Sequence, residues 1–218
     1  MIGSFLSEIC HQLPARTLAV AGVLLPACAR CTGVYGGWLL AFLSYAVPGR
    51  RRIFLRHPSR AAAFLAAAAV VPGLADLLLT MYARSPLDNV GRFLLALPFG
   101  WGGFVLVAGA ASWLRWGAPP ERRRSLAELA ASLPLLLIPP ALLLTRLPAA
   151  AALLGMGTAA GAVAYYGLFT YLPCALLLHK RPWRPWRGAV IVAAVAGLAA
   201  GEILWGLRAL AWVRTRFP

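Results

Sequence analysis

The sequence predicts an all-α fold: a polytopic transmembrane helix bundle of about six spans, forming a single domain over residues 1–218. Three observations predict it. Hydrophobic residues make up 61% of the chain and charged residues only 12%, too few to coat a soluble domain of this length. Mean hydropathy is +0.76, and the apolar residues are gathered into runs. Those runs match a hydrocarbon core of about 30 Å at roughly 1.5 Å per helical residue. The basic residues stand in short clusters between the runs. The net charge of +15 therefore points to a lipid bilayer as partner and away from nucleic acid, because arginines clustered at span ends set membrane orientation.

The elements follow in order. Residues 1–31 are expected to form an extracytoplasmic, Cys/His-containing N-terminal segment. It lacks a basic n-region and a small-residue cleavage site, so no removable signal peptide is expected and the first span serves as the insertion signal. That span is 32–48, "TGVYGGWLLAFLSYAVP", at the short limit for crossing. Extension back through 16–27 is interrupted by Pro26 and Arg30. The remaining spans are 60–81, 92–114, 126–147, 150–178 and 188–212.

The segments after spans one, three and five, "GRRRIFLRHPSR", "RWGAPPERRR" and "HKRPWRPWR", are strongly basic. The segment after span two is mixed in sign, and the turn after span four is only Arg146-Leu147-Pro148. The positive-inside rule then puts the basic loops in the cytoplasm and both termini outside. The expected location is a bacterial cytoplasmic (inner) membrane. Arg208, Arg214 and Arg216 in the tail run against this, which makes five spans the rival count. Trp113, Trp116, Trp183, Trp186 and Trp212 fall at span ends as an aromatic belt. The small-residue stretches 155–161 and 197–201 permit close helix approach.

Ionisable residues inside spans are functional candidates because the bilayer disfavours them. Asp76 lies about sixteen residues into span two, roughly 24 Å from its cytoplasmic end at 1.5 Å per residue. Glu202 lies about fourteen residues into span six, roughly 21 Å up. Arg92 opens span three. Arg84 and Asn89 lie in the preceding outer loop. Cys10, His11, Cys28, Arg30 and Cys31 precede span one. Topology alone therefore gathers these groups at the outer end of the bundle. In a catalytic reading Asp76 and Glu202 are acid and base. Arg30, Arg84, Asn89 and Arg92 then hold an anionic small-molecule or lipid-linked ligand. In the structural reading the acids pair with Arg30, Arg84, Arg92 or Arg208, Asn89 caps span three, and Arg92 snorkels to the interface.

Three chemistries fit the cysteines. Cys28-x-x-Cys31 places two thiolates on one ion, with Cys10 and His11 as further metal ligands; this donor set suits Zn²⁺ ahead of Cu(I) or an iron–sulfur centre. The same C-x-x-C also fits a thiol–disulfide redox pair with Cys10 as partner. A structural disulfide outside the cell is the third reading, and it leaves one cysteine of the cluster over. Cys174 reads as a core residue, and His57 and His179 as solvated loop residues. Two function classes follow. One is a membrane enzyme with an open metal position. The other is a non-enzymatic metal-handling, transport or assembly protein with a closed one. Oligomeric state is not specified.

"CHQLPARTLAVAGVLLPACARCTGVYGG" resembles the N-terminal signature of a family of uncharacterised prokaryotic membrane proteins. The matching positions are Cys10, His11, Gln12, Arg16, Pro26, Cys28, Arg30, Cys31, Gly33, Tyr35 and Gly37. A second block of that family is similar to Asp76, Arg84, Asn89 and Arg92, with Leu77 standing where the block carries Gly. The resemblance covers roughly the first hundred residues. It implies a shared membrane fold in which the two blocks act as one unit, and no particular reaction.

Overall fold

The computed structural model describes residues 10, 14–46, 57–81, 86–116, 123–124, 129–145 and 147–178. Helices dominate. They are α1 (Ala29–Ala46), α2 (Arg60–Met81), α3 (Asn89–Trp116), the short α4 (Ile138–Leu144) and α5 (Pro148–Leu178). Three stretches are long and apolar enough to cross a membrane: Arg60–Thr80, Asn89–Ser112 and Pro148–Tyr171. They correspond to the second, third and fifth expected spans. The sixth, 188–212, lies outside the described residues, as do Trp183, Trp186 and Trp212.

The first expected span is a helix of 18 residues. The fourth, 126–147, is not one continuous helix. Residues 131–132 turn, Leu133–Leu137 wind as a 3₁₀ helix, and only seven residues are α-helical in α4. Pro134, Pro139 and Pro140 supply the reason. Each lacks the N–H that a helix interior needs, so each is accommodated near a helix start.

The other difference lies before α1. Strands β1 (Thr17–Val20) and β2 (Val23–Cys28) pair antiparallel, with Thr17 opposite Cys28. Their turn is Ala21-Gly22, both at positive φ (51° and 79°), as a two-residue hairpin of primed type demands. Leu18, Val20, Leu25 and Ala27 point inward at alternate positions, the period of a strand. Leu18, Val20 and Leu25 pack on Phe93 and Leu97 of α3 and on Ala150, Ala151 and Leu154 of α5, while Ala27 packs with Cys10, Tyr35 and Ala162. The run "LAVAGVLLPA" is apolar enough to read as part of a span, yet it folds as a hairpin seated on the end of the bundle.

The helices alternate in direction. α1 runs away from the hairpin and α3 runs parallel to it, with Gly33 against Phe93 and Ala96, and Trp38 against Gly103. α2 runs antiparallel to α3, with Gly73 against Phe99 and Ala66 against Gly102. The segment 129–145 returns towards the hairpin: Ser132 accepts a hydrogen bond from Trp101 Nε1 at 3.0 Å, while Leu142 and Leu143 reach the hairpin cluster. α5 then runs parallel to α1, from Gly155 beside Pro26 to Phe169 stacked on Trp38.

Small residues set the spacing. A Cβ on Gly37 would strike the Leu97 carbonyl, and one on Gly161 would strike the Tyr35 carbonyl. Backbone therefore meets backbone along α1, which is how membrane helices gain packing without a hydrophobic driving force. The stretch 155–161 is thus a packing seam, as its composition predicts.

The two ends of the bundle differ. The hairpin closes one end. At the other, β3 (His57–Pro58) pairs with β4 (Arg123–Arg124), joining two of the basic segments. Pro58 also meets Gly109, twenty residues along α3 from Asn89. Twenty helical residues are about 30 Å, the thickness of a hydrocarbon core.

Candidate metal centre

Cys28 is the last residue of β2, and Cys31 lies in the first turn of α1. The hairpin-to-helix junction thus holds both side chains close. The Cys31 N–H donates to Cys28 Sγ at 3.5 Å, so Cys28 occupies the place of an N-cap. Cys10 joins from upstream in the sequence: its sulfur accepts the Cys28 N–H at 3.1 Å and is buried. All three sulfurs lie within 4.8 Å of one another. Zinc bound at about 2.3 Å in a tetrahedral field sets its sulfurs roughly 3.8 Å apart, so the cluster needs little closure to hold an ion. The three cysteines are free thiols in this structure.

The surroundings are apolar and tight. Ala27, Tyr35 and Ala162 are buried in contact with the cluster, and Ala159, Tyr165 and Tyr166 pack around it. The Tyr35 and Tyr166 hydroxyls lie 3.5 Å apart. Tyr35 sits one turn after Cys31 on α1, so its ring leans back towards the sulfur. The thiol of Cys28 is raised above its ordinary range, first by its hydrogen bond with Cys10 and further by burial. Three thiols at this spacing resist becoming three thiolates together. A bound cation reverses that preference and deprotonates them.

A second polar neighbourhood lies on another face of α1. Arg30 donates to Asp76 Oδ2 from Nη2 at 2.6 Å and from Nε at 3.1 Å, and to Thr80 Oγ1 at 2.7 Å. The Asp76 side chain is 1% exposed and that of Arg30 is 23% exposed. The ion pair thus ties α1 to the end of α2. The Asn89 amide donates to the carbonyls of Ala15 at 3.0 Å and Thr17 at 3.4 Å, clamping the hairpin to α3. Asp88, rather than Asn89, caps α3: its Oδ1 accepts the Gly91 N–H at 2.7 Å. Arg92 occupies the first turn of α3, and its Nε is buried without a hydrogen-bond partner.

The structure therefore brings together Cys10, Cys28 and Cys31, and separately Arg30 and Asp76. His11, Arg84 and Glu202 lie outside the described residues, as does His179, and the side chains of His57 and Cys174 are not described. Sequence reasoning passed over Tyr166 and the α5 wall. The signal was present as two tyrosines in "AVAYYGLF", polar tips inside an apolar helix.

A membrane-embedded helix bundle with a three-cysteine cluster at one end defines the class of protein. A family profile described as "Predicted membrane protein (DUF2085)" matches residues 10–106. An uncharacterized protein of Methanothermobacter thermautotrophicus is 34% identical over 99 residues, which cover 45% of this chain and 83% of that protein. The chain belongs to this family of membrane proteins of unknown function. The matched residues run from the first cysteine into α3, so they contain the cluster, the Arg30–Asp76 pair and the α1–α3 seam. No solved structure matches the chain.

Proposed function

We propose that this protein is a metal-binding membrane protein whose centre is one Zn²⁺ held by Cys10, Cys28 and Cys31. The approach of the three sulfurs to within 4.8 Å carries the reading. Charge supports zinc over copper. Three thiolates with Zn²⁺ leave one net negative charge; with Cu(I) they leave two, and the desolvation penalty in an apolar pocket grows about fourfold with that doubling. Arg30 does not offset the difference, because Asp76 already neutralises it. His11, next to Cys10 in the sequence, is the proposed fourth donor. A centre closed by His11 serves structure or metal handling, and one that leaves the fourth position to water or a ligand serves chemistry.

The finer reading places the centre at the extracytoplasmic face of a cytoplasmic membrane, with an anionic small-molecule or lipid-linked ligand. Sidedness is supported by the basic strands His57–Pro58 and Arg123–Arg124 meeting at the opposite end from the thiols. Arg84 and Glu202 remain part of the proposed ligand and acid–base set.

The test is metal content with a thiol count, on protein purified in detergent without chelators or immobilised metal. About one zinc per chain, lost in Cys28→Ser/Cys31→Ser, is the expected result. Absence of metal together with two fewer titratable thiols than the reduced protein sinks it. That outcome favours the second reading, a thiol–disulfide protein, which the same proximity of free thiols supports.

A further inference from the structure

A guanidinium offers five N–H donors and accepts none, and buried donors left unpaired are rare in folded proteins. Arg92 has such a donor, its Nε. Its place relative to Arg30 follows from helix contacts. Phe99 of α3 packs on Gly73 of α2, and the two helices run antiparallel. Seven residues before Phe99 comes Arg92; seven residues after Gly73 comes Thr80. Two turns along each helix lead to the same level. Thr80 Oγ1 accepts the Arg30 guanidinium at 2.7 Å. Two arginines thus flank the end of α2: Arg30 pairs with Asp76, and Arg92 forms no ion pair among the described residues, since Asp88, one turn before it, turns its carboxylate to the Gly91 N–H.

Both helices carry exposed aliphatic side chains here: Leu77, Leu78 and Leu79 on α2, and Val90 and Leu94 on α3. An unpaired cation beside exposed aliphatic side chains, at the end of membrane-length helices, matches an amphiphile with one negative charge in its head. Arginine recognises phosphate oxygens in a bidentate manner. We propose that Arg92 anchors a singly charged phosphodiester, with Leu77, exposed one turn after Gly73 on the α3 side of α2, beside its apolar part. The chemistry is shared by a bilayer lipid headgroup and a soluble phosphodiester. The inference deepens the anionic-ligand part of the proposed function and is independent of the metal.

The test titrates the full chain in detergent, read by native mass spectrometry. The probes are phosphatidylglycerol, its deacylated headgroup glycerophosphoglycerol, and diacylglycerol. Wild type binds one phosphatidylglycerol about tenfold more tightly than Arg92→Gln does, while diacylglycerol binding is indifferent to the substitution. Arg92→Lys falls between, since a lysine is a point charge without the fork, and it carries the comparison should the glutamine variant not fold. Arg92 dependence for glycerophosphoglycerol as well assigns a soluble source; dependence for phosphatidylglycerol alone assigns the bilayer. Equal affinity of wild type and both variants for both phosphodiesters overturns the proposal. Cys28→Ser/Cys31→Ser retains wild-type phosphatidylglycerol affinity, so this inference and the metal reading fail separately.

Discussion

Arg30 and Cys31 are neighbours in the chain and belong to different places in the molecule. Cys31 faces the α5 side, among Ala159, Ala162 and Tyr166. Arg30 faces α2, where it binds Asp76 and Thr80. Successive helical residues point about 100° apart, so the four residues "CARC" supply a thiol pair on one face and a helix clamp on another. The thiol face is walled by small apolar residues and ring edges. The arginine face is ionic and borders exposed aliphatic surface. A cluster that looks like one site along the sequence is two sites that share a turn of α1.

The sharpest way to break that comparison is to empty the thiol face. Cys28→Ser/Cys31→Ser is expected to lower zinc from about one per chain to none, measured by elemental analysis, while lipid retention holds. Loss of both together would merge the two faces. Emptying the other face comes next. Asp76→Ala leaves Arg30 without its carboxylate and is expected to destabilise the fold by about 3 kcal/mol. Replacing Arg30 by Met as well should recover most of that. A detergent unfolding series on the single and double variants measures both, with metal stoichiometry unchanged.

Proton linkage sharpens the thiol face further. The folded, metal-free chain holds the Cys28 proton more tightly than the unfolded chain does. Its stability is therefore full below the ordinary thiol pKa of about 8.5 and falls as pH rises through it. Metal-loaded protein shows the opposite trend, since low pH returns protons to the ligands. Melting temperatures with and without zinc should converge towards pH 6 and separate towards pH 10. The smallest expected effect is that of Asn89→Ala, which frees the hairpin from α3. It should cost about 1 kcal/mol and weaken zinc binding modestly, because Cys28 ends the freed strand.

Much of the fold was legible. α2, α3 and α5 fall close to the apolar runs, since hydrophobic length is a local property. The glycines of "GMGTAAG" announced a packing seam for the same reason. The β-hairpin was not legible from hydropathy, because "LAVAGVLL" is apolar throughout and both a span and a buried strand read alike at that length. Its period of two and the Ala-Gly turn emerge only when α3 and α5 offer a surface to bury one side. The broken segment 129–145 carried its signal in three prolines, which hydropathy averages away.

Composition and pattern by themselves determined that this chain enters a membrane, that its helices lie near particular runs, and that Asp76 lies towards the same end as the cysteines. Those conclusions need only the solvent preference of each segment. The tertiary structure decided which neighbours in sequence share a face, that Asp76 meets Arg30, and that Asn89 holds the hairpin. It also decided that Tyr35 and Tyr166 wall the thiols. These depend on helix rotation and close approach at glycine, which arise between segments and are written in no single one of them.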